Sequence, residues 1–245
     1  MTNDDFASAD PIEKKDMVIF YLIDTSGSMD GVKINSVNTV MEEVGDELLT
    51  AGGADSEIRV AVMTFDSQCR WINNSGPIPA EDFGWAPVYA NGLTSMGQAF
   101  RMLNEKLSRS AWLKEPHESN APVIFLLSDG DPTDDFDGGL AELKNNDWFN
   151  TGVKVALAVG NQANKDCLAK FTGNMELVVT VNSGKALMDM IRIISVQSAK
   201  ISSKKGAAGT SNAGMINTAA RDQQLIQAIQ DAQTGSADDI VGEDF

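Results

Sequence analysis

Five short apolar runs recur along the chain and predict the strands of a sheet. They occupy residues 17–23, 58–65, 122–127, 153–159 and 176–181. Each run is rich in Val, Ile or Leu and is apolar at successive positions, whereas a half-exposed strand would alternate apolar and polar residues. The pattern therefore indicates strands that are covered on both faces.

The longer segments between these runs carry apolar residues at helical spacing. Three such stripes are Val37, Val40, Met41, Val44 and Leu48; Ala99, Met102, Leu103 and Leu107; and Ala186, Leu187, Met190, Ile191 and Ile194. Strands that alternate with helices predict right-handed crossovers. We therefore expect an α/β fold, a doubly wound, mostly parallel Rossmann-like sheet with helices on both faces. The Pro- and Gly-rich residues 67–93 predict an antiparallel edge strand or an irregular insertion.

Composition divides the chain into three parts. Residues 1–16 form an acidic N-terminal extension without an apolar stretch, which argues against a signal peptide. Residues 17–200 form the α/β domain. Residues 201–245 combine a small, polar linker, a short amphipathic helix with Leu225, Ile226 and Ile229 on one side, and an acidic end. That helix has two interpretations, packing on its own domain or docking to a partner.

The charge balance excludes two classes of partner. The chain has 35 acidic and 19 basic residues and a net charge of −16, which disfavours both nucleic acid and an anionic membrane surface. Cys69 and Cys167 are too few for a disulfide framework, and we interpret them as structural thiols. With no apolar run long enough to cross a bilayer, we expect a cytoplasmic protein. His117 lies in a polar connection and is interpreted as a surface residue.

Oxygen-bearing side chains stand at the ends of two predicted strands and at the start of a helix. Asp24, Ser26 and Ser28 follow the first strand, Asp129 follows the third, and Thr94 opens the second helix. In doubly wound sheets, ligands bind beyond the carboxyl ends of the strands. Hydroxyls and carboxylates suit Mg²⁺, with Mn²⁺ or Ca²⁺ as other candidates. The alternative is that the first three residues merely cap the following helix.

These three elements, in this order, resemble the metal-ion-dependent adhesion site of von Willebrand factor A (vWA) domains. The resemblance covers residues 17–200. It implies that Ser26, Ser28 and Thr94 coordinate the metal through their hydroxyls, and that Asp24 and Asp129 act directly or through water. It further implies an open coordination position that accepts an Asp or Glu of a protein partner. The implied function is a metal-dependent binding module with no catalytic residues.

The wording around these elements also resembles a narrower group, the small bacterial vWA proteins linked to tellurium resistance (TerY-like). Membership would imply a role in a stress response or in phosphorylation signalling. The partner would then be a Ser/Thr kinase or a PP2C-type phosphatase.

Two other functions remain open at this point. A metal-dependent phosphohydrolase would use Asp24 as its nucleophile, although Ser26 stands where such enzymes need a second Asp. A regulatory substrate would be phosphorylated in its tail, which carries five hydroxyl residues: Ser202, Ser203, Thr210, Ser211 and Thr218.

Further acids follow the third strand at residues 131, 134, 135 and 137. We interpret them as charges of a solvated loop and a helix start. Together with Asp24, Asp30 and Asp129 they would form an acidic rim that concentrates a cation and repels an acidic partner until the cation is bound. Trp85, in the Pro-rich segment, is a candidate exposed contact residue.

Overall fold

A central sheet organises the protein in the computed structural model, which describes residues 14–51, 56–114, 119–203 and 218–235. The strands of these described parts are β1 (Lys15–Asp24), β2 (Ser56–Phe65), β3 (Cys69–Trp71), β4 (Ile78–Pro79), β5 (Val123–Ser128), β6 (Val153–Val159) and β7 (Val178–Val181). Their order across the sheet is β3-β2-β1-β5-β6-β7, with β4 also paired to β2. Strands β2, β1, β5, β6 and β7 are mutually parallel, which confirms the doubly wound prediction.

Helices cover both faces of this sheet. They are α1 (Val32–Ala51), α2 (Met96–Lys106), α3 (Phe136–Lys144), α4 (Asp147–Thr151), α5 (Lys165–Thr172), α6 (Gly184–Ser203) and α7 (Thr218–Gly235). One hydrophobic core lies between the sheet and α1, α6 and α7. A second lies between the opposite face and α2 to α5.

Strand β1 shows why the apolar runs do not alternate. Ile19 and Tyr21 point into the first core, and Phe20 and Leu22 point into the second. Successive side chains of a strand point to opposite faces. Because both faces are covered by helices, every position must be apolar.

The predicted antiparallel edge consists of two short strands. Strand β3 pairs with the end of β2, where Phe65 lies opposite Cys69, and β4 pairs with an earlier part of β2, where Val60 lies opposite Ile78. The remainder of residues 67–93 is largely irregular. Trp85 does not serve as the exposed contact expected from the sequence, since its Nε1 donates to Asn38 Oδ1 at 3.1 Å and its ring packs against the first core.

The C-terminal helix α7 packs on its own domain. Leu225, Ile226 and Ile229 are buried in the first core, and the buried Arg221 donates to the carbonyl oxygens of Thr151 and Gly152. Helix α6 continues through the expected boundary at residue 200 to Ser203.

Several predictions from the sequence concern residues that the structure does not describe. Residues 1–13, His117, Thr210, Ser211 and the acidic end at 236–245 lie outside the described residues, and the division into three parts stays a prediction. Among the helices that are described, none is both long enough and apolar enough to cross a membrane.

Candidate functional site

Asp24 is the buried centre of the site. It ends β1, beside the parallel β5 that ends at Ser128, so the two residues meet at the carboxyl edge of the sheet. The Ser128 hydroxyl donates to Asp24 Oδ2 at 2.5 Å, and the backbone N–H of Ser26 donates to Oδ1 at 2.8 Å. Both oxygens of this fully buried carboxylate therefore accept a hydrogen bond.

Burial dominates the electrostatics of Asp24. Removal from water raises the pKa of its carboxyl above the ordinary value, and the negative charge of Asp129 adds to this. The hydrogen bonds from Ser128 and Ser26 oppose the rise. Within the described residues no cationic side chain forms an ion pair with Asp24, so a buried anion lacks a direct counter-ion.

A chain of hydrogen bonds joins the residues that follow β1 to the end of β5. The hydroxyl oxygens of Ser26 and Ser28 lie 3.1 Å apart, and the Ser28 hydroxyl donates to Asp129 Oδ1 at 2.7 Å. Ser26 and Asp129 are buried, whereas Ser28 is exposed. The arrangement forms a row of oxygen atoms that reaches the surface at its middle member, Ser28.

Thr94 reaches the same place from a third loop. The backbone N–H of Gly27 donates to the carbonyl oxygen of Gly92 at 3.1 Å, which holds the two loops together. A Cβ atom on Gly130 would lie 3.4 Å from Ser28 Oγ and 3.9 Å from Thr94 Oγ1. The two hydroxyls therefore face the same space, and a glycine at position 130 leaves it open.

The structure thus brings the five predicted residues close to one another. Hydrogen bonds connect Asp24, Ser26, Ser28 and Asp129 in sequence, and Thr94 flanks them. The described residues contain no cluster of three or more His, Cys, Asp and Glu that could hold a metal. Any cation at this place would therefore depend on hydroxyl oxygens as much as on carboxylates.

Sequence reasoning missed Lys33, which lies in the first turn of α1. Its ammonium forms an ion pair with Asp129 Oδ2 and donates to the carbonyl oxygen of Ser28 at 3.2 Å. Helical side chains lean toward the N-terminus of their helix, so a lysine in the first turn of α1 could have been expected to reach back toward the loop. Ser128, which orients Asp24, was also missed as a site residue, although it stands next to Asp129.

The acids that follow Asp129 have structural partners of their own. Asp134 accepts the backbone N–H groups of Gly97 and Gln98 at 2.9 and 2.8 Å, and so caps α2 from another loop. Asp135 caps α3 through the N–H of Gly138 and pairs with Arg101 at 2.5 Å, hydrogen bonds that lower its pKa below the ordinary value.

The two other acids, Asp131 in the loop and Asp137 in the first turn of α3, contact side chains of α5 or its cap. Asp131 accepts from Asn164, and Asp137 pairs with Lys170 at 3.1 Å. These contacts agree with the interpretation as helix-start charges. They leave less free negative charge at the rim than the sequence suggested.

Comparisons with known proteins agree with this architecture. Residues 18–192 match the family model of the von Willebrand factor type A domain. A 120-residue stretch, 47% of this chain, is 28% identical to the human inter-alpha-trypsin inhibitor heavy chain H4 and spans 12% of that protein.

Two solved structures show the same fold. A von Willebrand factor type A protein from Catenulispora acidiphila has a TM-score of 0.58 at 18% identity, covering 76% of this chain and 43% of its own. Proximal thread matrix protein 1 from the mussel byssus, with a zinc-occupied MIDAS motif, has a TM-score of 0.56 at 17% identity, covering 76% of this chain and 48% of its own. This chain therefore spans less than half the length of these relatives.

The family match covers more than half of the chain, and the parallel sheet with helices on both faces is the fold of its structural relatives. The chain belongs to the von Willebrand factor type A domain family.

Proposed function

We propose that this chain is a metal-dependent protein-binding module. In this proposal Ser26, Ser28 and Thr94 hold a divalent cation through their hydroxyl oxygens. Asp24 and Asp129 hold it directly or through water. When bound, the cation supplies a positive charge with an open coordination position, to which an Asp or Glu of a partner protein binds.

The convergence of three loops is the observation that carries this proposal. Asp24, Ser26 and Ser28 come from the end of β1, Asp129 from the end of β5, and Thr94 from the loop before α2. Simple capping of a helix does not account for it, because the Ser26 and Ser28 hydroxyls bond to each other and the Ser28 hydroxyl donates to Asp129. Neither side chain makes a capping hydrogen bond to the short helical turn at Gly27–Met29.

The donor set also suits a hard cation. Hydroxyl and carboxylate oxygens are ligands of Mg²⁺, which keeps several waters and needs few protein donors. The ammonium of Lys33 already lies against Asp129 and the Ser28 carbonyl, so the place accepts positive charge. The zinc-occupied motif of the mussel protein supports a divalent cation here, and we propose Mg²⁺ as the physiological ion.

The cellular setting follows from the narrower resemblance. We place the module in the cytoplasm of a bacterium, in a tellurium-resistance or related stress system. Its partner there would be a Ser/Thr kinase or a PP2C-type phosphatase that presents an acidic residue.

The phosphohydrolase alternative has less support. Its nucleophile would be Asp24, which is fully buried and accepts hydrogen bonds on both oxygens. Regulation through the tail keeps its basis in Thr210 and Ser211, whereas Ser202 and Ser203 belong to the end of α6.

Calorimetric titration with Mg²⁺ and Mn²⁺ tests the metal site. We expect Ser28→Ala and Asp24→Ala to abolish binding, because each removes an oxygen donor. The exposed residues Ser110 and Asp166 offer matched controls, and Ser110→Ala and Asp166→Ala should bind like the wild type. Unchanged titration of the Asp24 variant would refute the metal site.

Affinity purification then tests the binding function. The partner should be retained by the wild type in Mg²⁺, and lost both in EDTA and with Ser28→Ala. A partner that survives both perturbations would contradict metal-bridged binding. Hydrolysis of a generic phosphoester that is lost in Asp24→Asn would favour the enzyme instead.

A further inference from the structure

Lys33 is built into the proposed metal centre although it cannot coordinate a metal as an ammonium. It forms an ion pair with Asp129 Oδ2, and its Nζ donates to the Ser28 carbonyl oxygen at 3.2 Å. The side chain of Lys33 is 23% exposed and that of Asp129 only 2%. A partly buried ion pair of this kind is screened less than a surface pair.

The two carboxylate oxygens of Asp129 accept hydrogen bonds from different donors. Oδ1 accepts from the Ser28 hydroxyl at 2.7 Å, and Oδ2 accepts from Lys33. The serine oxygen keeps lone pairs for a cation while its O–H group donates to Oδ1. Lys33 can therefore remain on Oδ2 when the hydroxyls hold a cation.

The charge of the site follows from these contacts. Its anionic groups are the carboxylates of Asp24 and Asp129, and Lys33 cancels one of their two charges. With a divalent cation, the cluster has one net positive charge. Without Lys33, the same cluster would be neutral.

We propose that Lys33 makes this centre selective for an anionic partner at the expense of metal affinity. The inference rests on the proposed function and names the property that Lys33 adds to it. A positive centre attracts a carboxylate, whereas a neutral centre would distinguish a carboxylate poorly from an amide. The same charge repels the divalent cation, so the metal binds more weakly than to the hydroxyls and carboxylates alone.

The full chain with Mn²⁺ as the probe tests both halves of the proposal. Calorimetry measures Mn²⁺ affinity, and water-proton relaxation of the Mn²⁺-loaded protein follows displacement of bound water by acetate. The variants are Lys33→Met, which removes the charge, and Lys33→Arg, which keeps it. Lys170→Met is the matched control, because it removes a rim charge that pairs with Asp137 and not with Asp129.

We expect Lys33→Met to bind Mn²⁺ roughly tenfold more tightly or better, since one close positive charge is gone. The acetate concentration that displaces half of the metal-bound water should be at least about threefold higher for Lys33→Met than for the wild type. Lys33→Arg and Lys170→Met should stay within about twofold of the wild type in both measurements.

Each outcome decides the matter. Tighter Mn²⁺ binding with weaker acetate binding in Lys33→Met alone supports the role of Lys33. Equal Mn²⁺ affinity in the wild type and Lys33→Met would overturn the role of Lys33 but leave the proposed function standing. The same conclusion would follow if Lys170→Met changed Mn²⁺ and acetate binding as much as Lys33→Met does. Failure of both proteins to bind Mn²⁺ overturns the proposed function and this inference with it.

Discussion

Helix α7 should be an integral part of the domain, and replacing Leu225 by Ala tests this. Leu225 is fully buried, and Ile229 is 2% exposed in the same core. A Leu→Ala change in a packed core costs about 2–5 kcal/mol, through lost apolar transfer and the cavity that remains. We expect a loss in this range in the free energy of unfolding if α7 unfolds together with the sheet.

The free energy that holds α7 on the domain sets an upper limit to that loss. If undocking α7 costs less free energy than the cavity, the variant releases the helix and keeps the rest folded. Denaturant titration followed by tryptophan fluorescence would then report little change. Hydrogen exchange in residues 219–233 would become fast. The two measurements together separate a global loss from local undocking.

Arg221 gives a second estimate of the same docking. Its guanidinium donates to the carbonyl oxygens of Thr151 and Gly152, and Arg221→Met removes both hydrogen bonds. The Gly152 carbonyl keeps the Lys154 ammonium at 3.0 Å, so the main cost is the lost partner of the Thr151 carbonyl, about 1–3 kcal/mol. A loss of this size should accelerate hydrogen exchange of the α7 amides, as we also expect for Leu225→Ala.

The exposed residue Gln224 of the same helix provides the control, and Gln224→Ala should change stability by no more than about 0.5 kcal/mol. If Leu225→Ala behaves like Gln224→Ala in both stability and exchange, α7 is not part of the core and the argument from burial is wrong.

Three further predictions concern packing, pH and thiol chemistry. Gly97→Ala should lower the free energy of unfolding by about 1–3 kcal/mol in thermal or denaturant unfolding, because its Cβ would lie 2.2 Å from a backbone carbonyl oxygen. A Cβ at Gly84 would meet nothing within 4 Å, so Gly84→Ala is the control and should leave stability unchanged. Burial lowers the pKa of Lys154 from 10.5 to about 8, so the unfolded chain binds the proton more tightly than the folded one. The free energy of unfolding of the wild type, measured relative to that of Lys154→Met, should therefore increase between about pH 8 and pH 10.5. A difference that stays constant over this range would contradict the prediction. Burial raises the pKa of Cys69 to about 12 and of Cys167 to about 11, so neither thiol should react with a disulfide reagent at pH 8 until the protein is denatured.

The features that could be predicted from the sequence are those with a local pattern. The run at residues 17–23 predicted a strand buried on both faces because no polar residue interrupts it, and β1 confirms this. The convergence of Asp24 and Asp129 could be expected from topology alone, since carboxyl ends of parallel strands share one edge of a sheet.

The missed features depend on contacts between distant parts of the chain. Lys33 meets Asp129 across 96 positions, and Asp134 caps α2 across 37 positions to Gly97. Neither pairing has a periodic signal, because each depends on the angle and distance between two packed elements. Trp85 was misjudged for the same reason, since Asn38, which accepts its N–H, lies on α1.

These distant contacts also change the meaning of the acidic composition. The net charge of −16 suggested a rim of free carboxylates that would wait for a cation. Helix N-termini and Arg101 instead engage Asp134 and Asp135, and Lys33 neutralises Asp129. Asp24 is the acid of the site without a cationic partner among the described residues. In the proposed metal-bound site, the charge that a partner meets is therefore set by a few buried contacts, and Lys33 decides whether that charge is positive or neutral even in a strongly acidic chain.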